Sequence, residues 1–531
     1  MERTATQTSK QGFWGDIHPV MAMGSALLVV IFVLFTVINP DYAGSLFNTA
    51  RVFIATNLSW YYISLMNFYL IFALLLVFSK YGKIRLGANS DRPEFSYFAW
   101  FSMLFGAGIG IGILFWSIAE PIYYFQSNPF ILDAQSMTPE AAQVAMRVAI
   151  FHWGLHGWGL YAILGMTFAY FSYRKGLPLS IRSALYPIFG ERIYGPIGYV
   201  ADILAVLGTV FGIATSLGLG AQQMNGGLNY LLGIEISTAI QILLIAIISI
   251  VATASVLSGV NKGIRILSEL NMTLTLLILG LFVVFGPTLY LLSSVAANTV
   301  DYLINAPALG VWVAPVEHAR WQSDWTIFYW GWWLAWSPFT GIFIARISRG
   351  RTVREFLFGV LIVPTALTIL WITIFGNSAM YIELFGDGGV TAAVNADTTT
   401  ALFKTIELLD VGYLLTGIMA TVCTFMLLTY FVTSADSATL VICTLVAMGK
   451  NDPPAKLRIF WGVAIGAVAA VLLYSGGLQA LKTASIVVAL PFSVVLVLAT
   501  CGLCKSLYNE GKTIDNGDQA LINPSTTETV E

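Results

Sequence analysis

The sequence predicts an all-α integral membrane protein with twelve transmembrane helices, and three observations lead to this fold class. Hydrophobic residues make up 57% of the 531 residues. Charged residues make up only 10%, against roughly 25% in a typical soluble protein. Twelve apolar stretches reach the roughly 20 residues that a helix needs to cross a bilayer. This composition excludes a soluble enzyme and a disordered chain. Because the net charge is −2, with no basic excess to meet phosphate, it also excludes a nucleic-acid-binding protein.

The twelve predicted spans are joined by short polar connections. They cover 19–39, 59–79, 95–118, 144–171, 195–221, 233–257, 268–294, 324–345, 356–376, 409–445, 457–475 and 484–504. If both termini are cytoplasmic, 21 of the 26 Lys and Arg residues lie on the cytoplasmic side. The five on the outer side are Arg51, Arg147, Arg320, Lys404 and Lys482. Because Lys and Arg are enriched in cytoplasmic loops, the sequence predicts cytoplasmic termini and an even number of spans.

The sequence provides no catalytic set for a membrane enzyme. His152 and His156 are four residues apart, a spacing typical of metal ligands on a helix, but no HExxH pattern, nearby carboxylate or cysteine completes a site. We therefore interpret both histidines as helix-packing residues and expect no bound cofactor. The choice that remains is between a transporter and a channel.

Glycines alternate along the third span, at Gly106, Gly108, Gly110 and Gly112. Each costs about 1 kcal/mol relative to Ala inside a helix, so their presence requires a reason. Close helix packing favours small residues four apart, whereas alternate spacing favours a discontinuous helix whose freed carbonyls bind a cation. We predict a broken helix here, with close packing as the alternative.

Two helix faces carry clustered aromatic residues. They are Trp332, Trp333 and Trp336 in the eighth span and Trp153, Trp158 and Tyr161 in the fourth. Convergent aromatic faces hold a quaternary ammonium by cation–π attraction of about 0.5–2 kcal/mol per face. Aromatic packing explains the same pattern, so a ligand cage and a packing cluster both remain open at this point.

Hydroxyl residues interrupt the tenth span in the segment Thr433-Ser434-Ala435-Asp436-Ser437. Such hydroxyls can provide oxygen ligands to Na⁺, with carbonyls of a broken helix completing the shell. The alternative is that they bond back to carbonyls of their own helix. Asp436 favours a functional site because an ionisable residue inside a span marks function or pairing, and Asp202 in the fifth span carries the same indication.

Taken together, these segments resemble one family, the betaine/choline/carnitine transporters (BCCT). The matching segments are FGAGIGIG at 105–112, WSIAEP at 116–121, FHWGLHGWGLY at 151–161, WGWWLAWSPF at 330–339 and TSADS at 433–437. The resemblance implies a LeuT-type fold in which two leading helices, at 19–94, precede two inverted five-helix repeats at 95–295 and 324–505. It also implies an outer interfacial segment at 296–323 with trimer contacts, and cytoplasmic tails at 1–18 and 506–531.

The resemblance further implies a substrate cage and two Na⁺ sites. The cage would comprise Trp153, Trp158, Tyr161, Trp332, Trp333 and Trp336 beside Gly108, Ile109, Gly110 and Gly112, with Trp325 as an outer, pathway-lining tryptophan. The first Na⁺ site would use carbonyls of Gly106 and Ile109 and hydroxyls of Thr433 and Ser434. The second would use Thr209 and Phe339, but Ile213 replaces the other threonine of the family pattern, so this second site lacks one ligand.

Gly112 indicates the substrate class. Choline-transporting members of the family tend to carry Asp at this position, where a carboxylate pairs with a cation that lacks its own counter-charge. A neutral glycine suits a zwitterion instead. The resemblance therefore implies glycine betaine first and dimethylsulfoniopropionate second, with ectoine and carnitine as further alternatives.

The seventh span indicates the coupling ion. No Lys or Arg lies between Arg265 and Arg320, whereas the Na⁺-independent exchangers of the family use an arginine in this span. The resemblance thus implies a homotrimeric Na⁺ symporter with alternating access in the bacterial cytoplasmic membrane. The alternatives are a Na⁺-independent carnitine or betaine exchanger and an H⁺-coupled choline transporter. A channel is disfavoured because a single cage beside a broken helix fits alternating access better than a continuous pore.

Overall fold

The computed structural model describes residues 18–522, apart from Ile109, 132–134, Gly259, Met448 and 450–452. For 107–108, Ser258, 260–265 and 513–522 it describes the backbone alone. Almost every described residue is helical, and an isolated antiparallel bridge between Arg85 and Thr352 is the one β-type pairing in this part of the chain. The predicted all-α class is confirmed.

The helices follow one another with short connections. The first are α1 (Pro19–Ile38), α2 (Pro40–Asn57), α3 (Ser59–Phe78), α4 (Tyr97–Gly108), α5 (Gly110–Gln126), α6 (Pro139–Trp153) and α7 (Leu155–Ala169). Next come α8 (Ile181–Phe189), α9 (Pro196–Leu232), α10 (Thr238–Ser258), α11 (Val260–Phe285), α12 (Thr288–Val311) and α13 (Ala319–Gln322). The last are α14 (Phe328–Arg346), α15 (Val353–Phe385), α16 (Val390–Ala396), α17 (Ala401–Leu408), α18 (Tyr413–Val446) and α19 (Ala455–Ile522). A π-helical turn, Ser323–Ile327, leads into α14.

Within the described residues, eight helices are long and apolar enough to cross a membrane, and the bent pair α4 and α5 raises the number to nine. Of the other predicted spans, 324–345 falls on the π-helical turn and α14, which is not among those eight helices. The remaining spans lie on interrupted or merged helices. The span at 144–171 falls on α6 and α7, which Gly154 separates. Both of the last two spans fall on α19, which is kinked at Gly476 and Gly477. The chain is therefore a multi-pass helical membrane protein, and twelve spans in two inverted repeats stay a prediction.

The seventh predicted span is too long at its C-terminal end. We predicted it over 268–294, but α11 ends at Phe285 and α12 begins at Thr288. Gly286 and Pro287 separate the two helices. Proline lacks the N–H that would continue a helix and fits its first turn, which explains why hydropathy alone ran the two helices together.

Capping residues fix where α6 and α15 begin. Thr138 accepts a hydrogen bond from the backbone N–H of Ala141 at the start of α6. Thr352 accepts one from the N–H of Glu355 at the start of α15, and the T-x-x-E spacing is that of a capping box. These interactions satisfy backbone donors that the first helical turn leaves free.

Glycines on α9 allow this helix to pack closely against its neighbours. A Cβ added at Gly212 would lie 2.6 Å from Cδ1 of Trp336 on α14, and one at Gly218 would lie 2.4 Å from Cδ1 of Leu481 on α19. A Cβ at Gly220 would lie 2.7 Å from Phe431 on α18. Small residues permit such close backbone approach in membranes, so α9 forms a packing centre beneath the site.

Asp202 has a structural explanation. Its carboxylate accepts hydrogen bonds from the Arg182 side chain and backbone N–H, and both side chains are fully buried. The Arg182 guanidinium also lies over the ring of Tyr199, 5.1 Å from its centroid. A buried carboxylate is tolerated when it is paired in this way, so Asp202 joins α8 to α9.

Candidate functional site

The glycine segment of the third predicted span is a break between two helices, as predicted. α4 ends at Gly108, α5 begins at Gly110, and the two helices are bent by 64°. Gly110 has φ +44°, a backbone conformation that residues with a Cβ rarely adopt. Ile109, assigned to both the cage and the first Na⁺ site, lies outside the described residues. A helix break of this kind leaves backbone carbonyls free to bind a ligand.

Five of the six predicted cage residues form one cluster where α6, α7 and α14 meet. The centroid distances are 5.7 Å for Trp153–Trp332, 6.2 Å for Trp153–Trp333, 5.8 Å for Trp158–Trp333, 5.7 Å for Trp158–Tyr161 and 4.7 Å for Tyr161–Trp333. Most of these pairs meet edge to face, and all five side chains are buried. Trp333 is the centre of the cluster because it contacts three of the other four rings.

Trp336 is the sixth predicted cage residue and lies one turn beyond Trp332. Its ring packs edge to face against Phe339 at 5.4 Å and against Gly212 of α9. Trp336 thus packs against α9 and lies beside Phe339, which was assigned to the second Na⁺ site. Trp330 faces another direction and stacks on His156 at 5.8 Å, which agrees with packing rather than ligand binding.

Two glycines leave room for the cage rings. A Cβ added at Gly112 would lie 2.4 Å from Cη2 of Trp332 and 2.9 Å from Cη2 of Trp153. A Cβ added at Gly157 would lie 2.4 Å from Cε2 of Trp333. Gly112 of α5 therefore lies directly against two cage tryptophans and forms the floor of the cluster.

Glu120 holds the cage tryptophan Trp153, and sequence reasoning missed it. We had assigned it only to the segment that ends the third span. The fully buried carboxylate accepts hydrogen bonds from Trp153 Nε1 at 2.8 Å and Tyr329 OH at 2.5 Å through Oε2. Through Oε1 it accepts from Tyr124 OH at 2.9 Å and contacts His152 Nδ1 at 2.9 Å. Because hydrogen bonds satisfy its oxygens, a carboxylate is tolerated here.

The two histidines differ from each other in the structure. His156 contacts the side-chain oxygen of Asn67 at 3.1 Å and packs on Trp330, as expected of a helix-packing residue. His152, for which no nearby carboxylate was expected, contacts Glu120, so that expectation was wrong. Among the residues that the structure describes, no three His, Cys, Asp or Glu side chains come together as a metal site.

The indole N–H groups of the cage fall into two sets. Trp153 donates to Glu120, and Trp333 donates to the carbonyl of His152 at 3.0 Å. The Nε1 atoms of Trp158, Trp332 and Trp336 are buried without a hydrogen-bond partner among the described residues. Buried donors normally find a partner, so these three N–H groups are available to a polar ligand.

Of the residues assigned to the first Na⁺ site, Ser434 lies beside the helix break. A Cβ added at Gly110 would lie 3.2 Å from Ser434 Oγ, which places α18 against the start of α5. Thr433 Oγ1 donates to the carbonyl of Thr429 at 2.7 Å and accepts from Asn271 Nδ2 of α11 at 3.1 Å. Gly106 lies at the end of α4, near Ser268 of α11. Ser434 is thus the assigned hydroxyl beside the break, whereas the Thr433 hydroxyl bonds back to a carbonyl of its own helix, as in the alternative interpretation.

The second Na⁺ assignment is supported less by the geometry. Thr209 Oγ1 donates to the carbonyl of Ala205 at 2.8 Å, a bond within its own helix. Phe339 of α14 packs against Trp336 and Phe343. Ile213 is buried where a hydroxyl would be required, so hydrophobic packing accounts for these three residues.

Asp436 lies behind the hydroxyl cluster rather than at the helix break. Its carboxylate accepts hydrogen bonds from Ser255 Oγ of α10 at 2.8 Å and from Ser437 Oγ at 3.1 Å. The side chain is buried. It therefore links α18 to α10 and supports the segment that carries Thr433 and Ser434.

Trp325 lies in the π-helical turn before α14 and is half-buried. Its ring contacts Tyr124 at 4.9 Å, Trp116 at 5.5 Å and Tyr123 at 5.6 Å. Lys482 Nζ lies 4.7 Å from its centroid. Lys482 was expected in an outer connection, but it is only 7% exposed, and it lies on the helix that follows the break at Gly476 and Gly477.

Comparisons with known proteins show the family to which this chain is similar. The model of the BCCT, betaine/carnitine/choline family transporter, matches residues 20–512. A probable glycine betaine transporter of Desulfitobacterium hafniense is 42% identical over 489 residues, which cover 92% of this chain and 97% of that protein. Glycine betaine transporter OpuD of Bacillus subtilis is 44% identical over 92% of this chain and 94% of its own length. The high-affinity choline transport protein of Escherichia coli K12 is 43% identical over 93% of this chain and 72% of its own length.

The broken helix, the aromatic cluster and the helical membrane architecture define a membrane transporter. The chain belongs to the BCCT family. Members of this family are transporters, not enzymes.

Proposed function

We propose that this protein is a secondary active transporter that imports a zwitterionic quaternary ammonium or sulfonium solute by Na⁺ symport. Glycine betaine is the first candidate and dimethylsulfoniopropionate the second. The observation that carries the proposal is the contact of Trp153 and Trp332 with each other and with the floor at Gly112. Two of the relatives with this overall similarity are named as glycine betaine transporters.

Aromatic faces bind a trimethylammonium group without any protein carboxylate in contact with it. The ligand cation lies within about 6 Å of each ring centroid that it contacts. Tyr161 and Trp333 are 4.7 Å apart, too close to enclose such a group between them. In our proposal these two rings either separate when the ligand binds or contact the same side of it.

Na⁺ coupling is supported by the oxygen-bearing groups at the helix break. Ser434 lies beside Gly110 at the start of α5, and Thr433 precedes it on α18. The segment between Arg265 and Arg320 contains no Lys or Arg. It therefore offers no fixed positive charge in place of the coupling Na⁺. An inward Na⁺ gains about 2.3 kcal/mol per 100 mV and about 1.4 kcal/mol per tenfold gradient. One ion thus sustains roughly a few-hundred-fold accumulation of a neutral solute, which suits osmoprotection.

The same proposal includes the setting of the protein. Both termini lie in the cytoplasm of a bacterium, because 21 of 26 Lys and Arg residues then lie inside. We place the chain in the cytoplasmic membrane, in contact with lipid. Apolar side chains project from α12, among them Leu289, Ile304 and Val311, and this helix is our candidate for trimer contacts.

A second candidate function is H⁺-coupled choline transport, because the Escherichia coli choline transport protein is 43% identical to this chain. A Na⁺-independent carnitine or betaine exchanger is the other alternative. Gly112 favours betaine transport over choline transport, since a neutral residue at this position offers no counter-charge to a bare cation such as choline.

The experiment is a binding titration of the purified protein, read by tryptophan fluorescence, with glycine betaine, dimethylsulfoniopropionate, choline and carnitine. Each ligand is titrated in Na⁺ and in K⁺ buffer. We expect saturable binding of glycine betaine that is at least about tenfold tighter in Na⁺, a difference of about 1.4 kcal/mol. Binding of choline in preference to glycine betaine would favour the second candidate, and equal affinities in the two buffers would contradict Na⁺ symport.

A further inference from the structure

Lys482 of α19 places its ammonium group among aromatic rings beside the cage. Its Nζ lies 4.6 Å from the ring centroid of Phe328, 4.7 Å from that of Trp325 and 5.6 Å from that of Trp116. All three distances are within the range of about 6 Å over which a cation is attracted to an aromatic face. The side chain is only 7% exposed, so its ammonium group is buried among these aromatic rings.

The backbone around Lys482 is held from two sides. Thr215 Oγ1 of α9 donates to the carbonyl of Leu481 at 3.0 Å and contacts Ser485 Oγ at 2.9 Å. Tyr62 OH of α3 donates to the carbonyl of Ile486 at 2.8 Å. These bonds fix the helix turn that carries Lys482, so the position of its ammonium group is determined by the fold.

The ammonium group has no acceptor of its own. Among the described residues, Lys482 has no hydrogen-bond or ion-pair partner. The acidic groups that act on it electrostatically are Asp324 and Glu120. Asp324 is paired with Arg51 at 2.5 Å, and four donors surround Glu120. A buried charge is costly unless it is paired and hydrogen-bonded. A ligand that brings an acceptor to the three N–H donors of Lys482 would therefore be bound favourably.

One phenyl ring separates Lys482 from the tryptophan cage. Phe328 contacts the ammonium group at 4.6 Å and stacks on Trp332 at 5.5 Å with an interplanar angle of 16°. Trp332 is the cage wall above Gly112. A small ligand that moves past Phe328 therefore meets the lysine on one side and the cage on the other.

We propose that Lys482 binds the carboxylate of a zwitterionic solute as the solute enters the tryptophan cage, and that it selects against solutes that are bare cations. The inference rests on the proposed function and adds the group that distinguishes glycine betaine from choline. A fixed ammonium in a low-dielectric site attracts a carboxylate and repels a second unpaired cation. Trp116, Trp325 and Phe328 hold the lysine while its N–H groups face the ligand.

The test compares ligands that differ only in the carboxylate. Glycine betaine, its methyl ester and choline share the trimethylammonium group, but only glycine betaine carries a negative charge. Equilibrium binding of each is measured on the wild-type protein, on Lys482→Gln and Lys482→Arg, and on Lys404→Gln as a control. Lys404 is an outer lysine that pairs with Glu407 at 2.7 Å near the surface. Lys482→Met keeps the apolar stem against the rings and provides the same comparison if the Gln variant does not fold.

We expect Lys482→Gln to weaken glycine betaine binding at least about tenfold, which corresponds to about 1.4 kcal/mol. The methyl ester and choline should bind as in the wild type or more tightly, Lys482→Arg should retain most of the betaine affinity, and Lys404→Gln should change nothing. Equal losses for all three ligands, or unchanged betaine affinity, would overturn this inference alone. Wild-type protein that binds no glycine betaine at all would contradict the proposed function as well.

Discussion

The indole Nε1 of Trp153 donates a 2.8 Å hydrogen bond to Oε2 of Glu120, and both groups are buried. This bond fixes the orientation of a cage tryptophan from outside the cage. The same oxygen accepts from Tyr329 OH, so one carboxylate connects α5, α6 and α14. The shape of the cage thus depends on a residue that need not touch the substrate.

Glu120→Gln should weaken substrate binding because the amide has one acceptor oxygen where the carboxylate has two. Trp153 can only donate through its indole nitrogen, so it keeps its bond only if that single oxygen turns toward it and away from Tyr124 and His152. Leaving a buried donor unsatisfied costs about 1–3 kcal/mol, and we expect glycine betaine affinity to fall about tenfold or more. Tyr124→Phe is the control, because it removes one donor to Oε1 and leaves Trp153 bonded. Equal affinities for wild type and Glu120→Gln would show that the bond does not position the cage.

Trp333→Ala should abolish detectable glycine betaine binding. Trp333 contacts Trp153, Trp158 and Tyr161, so its removal takes away the central wall of the cage. Trp371→Ala is a matched control because it also removes a fully buried indole, from a site where the ring packs on Phe375 at 4.4 Å. Both variants lose stability, since truncating a buried tryptophan costs about 3–5 kcal/mol. Isothermal titration calorimetry on the folded fraction should show loss of binding for Trp333→Ala only, and retained binding there would remove the cage assignment.

Thr433→Ala combined with Ser434→Ala should raise the Na⁺ concentration for half-maximal uptake about tenfold or more, a loss of about 1.4 kcal/mol or more. Ser434 lies beside Gly110 at the start of α5, and Thr433 precedes it on α18. Thr421→Ala on the same helix is the control, because Thr421 is exposed and its hydroxyl bonds to the carbonyl of Gly417 at 2.8 Å. The measurement is initial uptake as a function of external Na⁺. A Na⁺ dependence that does not change would place the ion elsewhere.

Gly112→Asp should lower glycine betaine uptake and shift the preference toward choline. A Cβ at this position meets Trp332 at 2.4 Å and Trp153 at 2.9 Å, so the two rings must move. The carboxylate of the new Asp attracts a bare cation and repels the carboxylate of betaine. Gly112→Ala separates the two effects, because it adds the Cβ without charge and should lower uptake without changing the preference. Gly280→Ala is the control, since nothing lies within 4 Å of its added Cβ. Competition uptake with both labelled substrates checks this, and a betaine preference retained in Gly112→Asp would contradict the selectivity argument.

The helix break and the aromatic cluster were predictable because their signals are local. Alternating glycines are costly in a continuous helix, and tryptophans spaced along one helix face converge wherever that face is buried. Trp336 shows the limit of this reasoning. Its spacing places it on the same face as Trp332, but the close approach of α9 at Gly212 gives its ring a different neighbour.

Glu120 and Lys482 could not be placed from the sequence because their partners are distant along the chain. The sequence predicts that Glu120 and Pro121 mark the outer end of a span, yet α5 continues to Gln126, with its proline inside the helix. The sequence predicts Lys482 in a connection between two spans, but the break between the two helices lies at Gly476 and Gly477, and Lys482 is on the helix that follows. Both are ionisable residues within apolar segments, a signal that indicates function or pairing but does not identify the partner.

The central claim, Na⁺-driven import of a zwitterion, is tested most directly by radiolabelled uptake into proteoliposomes containing the purified protein. Glycine betaine, dimethylsulfoniopropionate, choline and carnitine are each supplied with an inward Na⁺ gradient, with a matched K⁺ gradient, and with unlabelled substrate preloaded inside. We expect glycine betaine to accumulate above its external concentration only with the Na⁺ gradient, and the accumulation to collapse when an ionophore dissipates that gradient. Uptake that ignores Na⁺ but is stimulated by internal substrate would contradict the account and identify an exchanger.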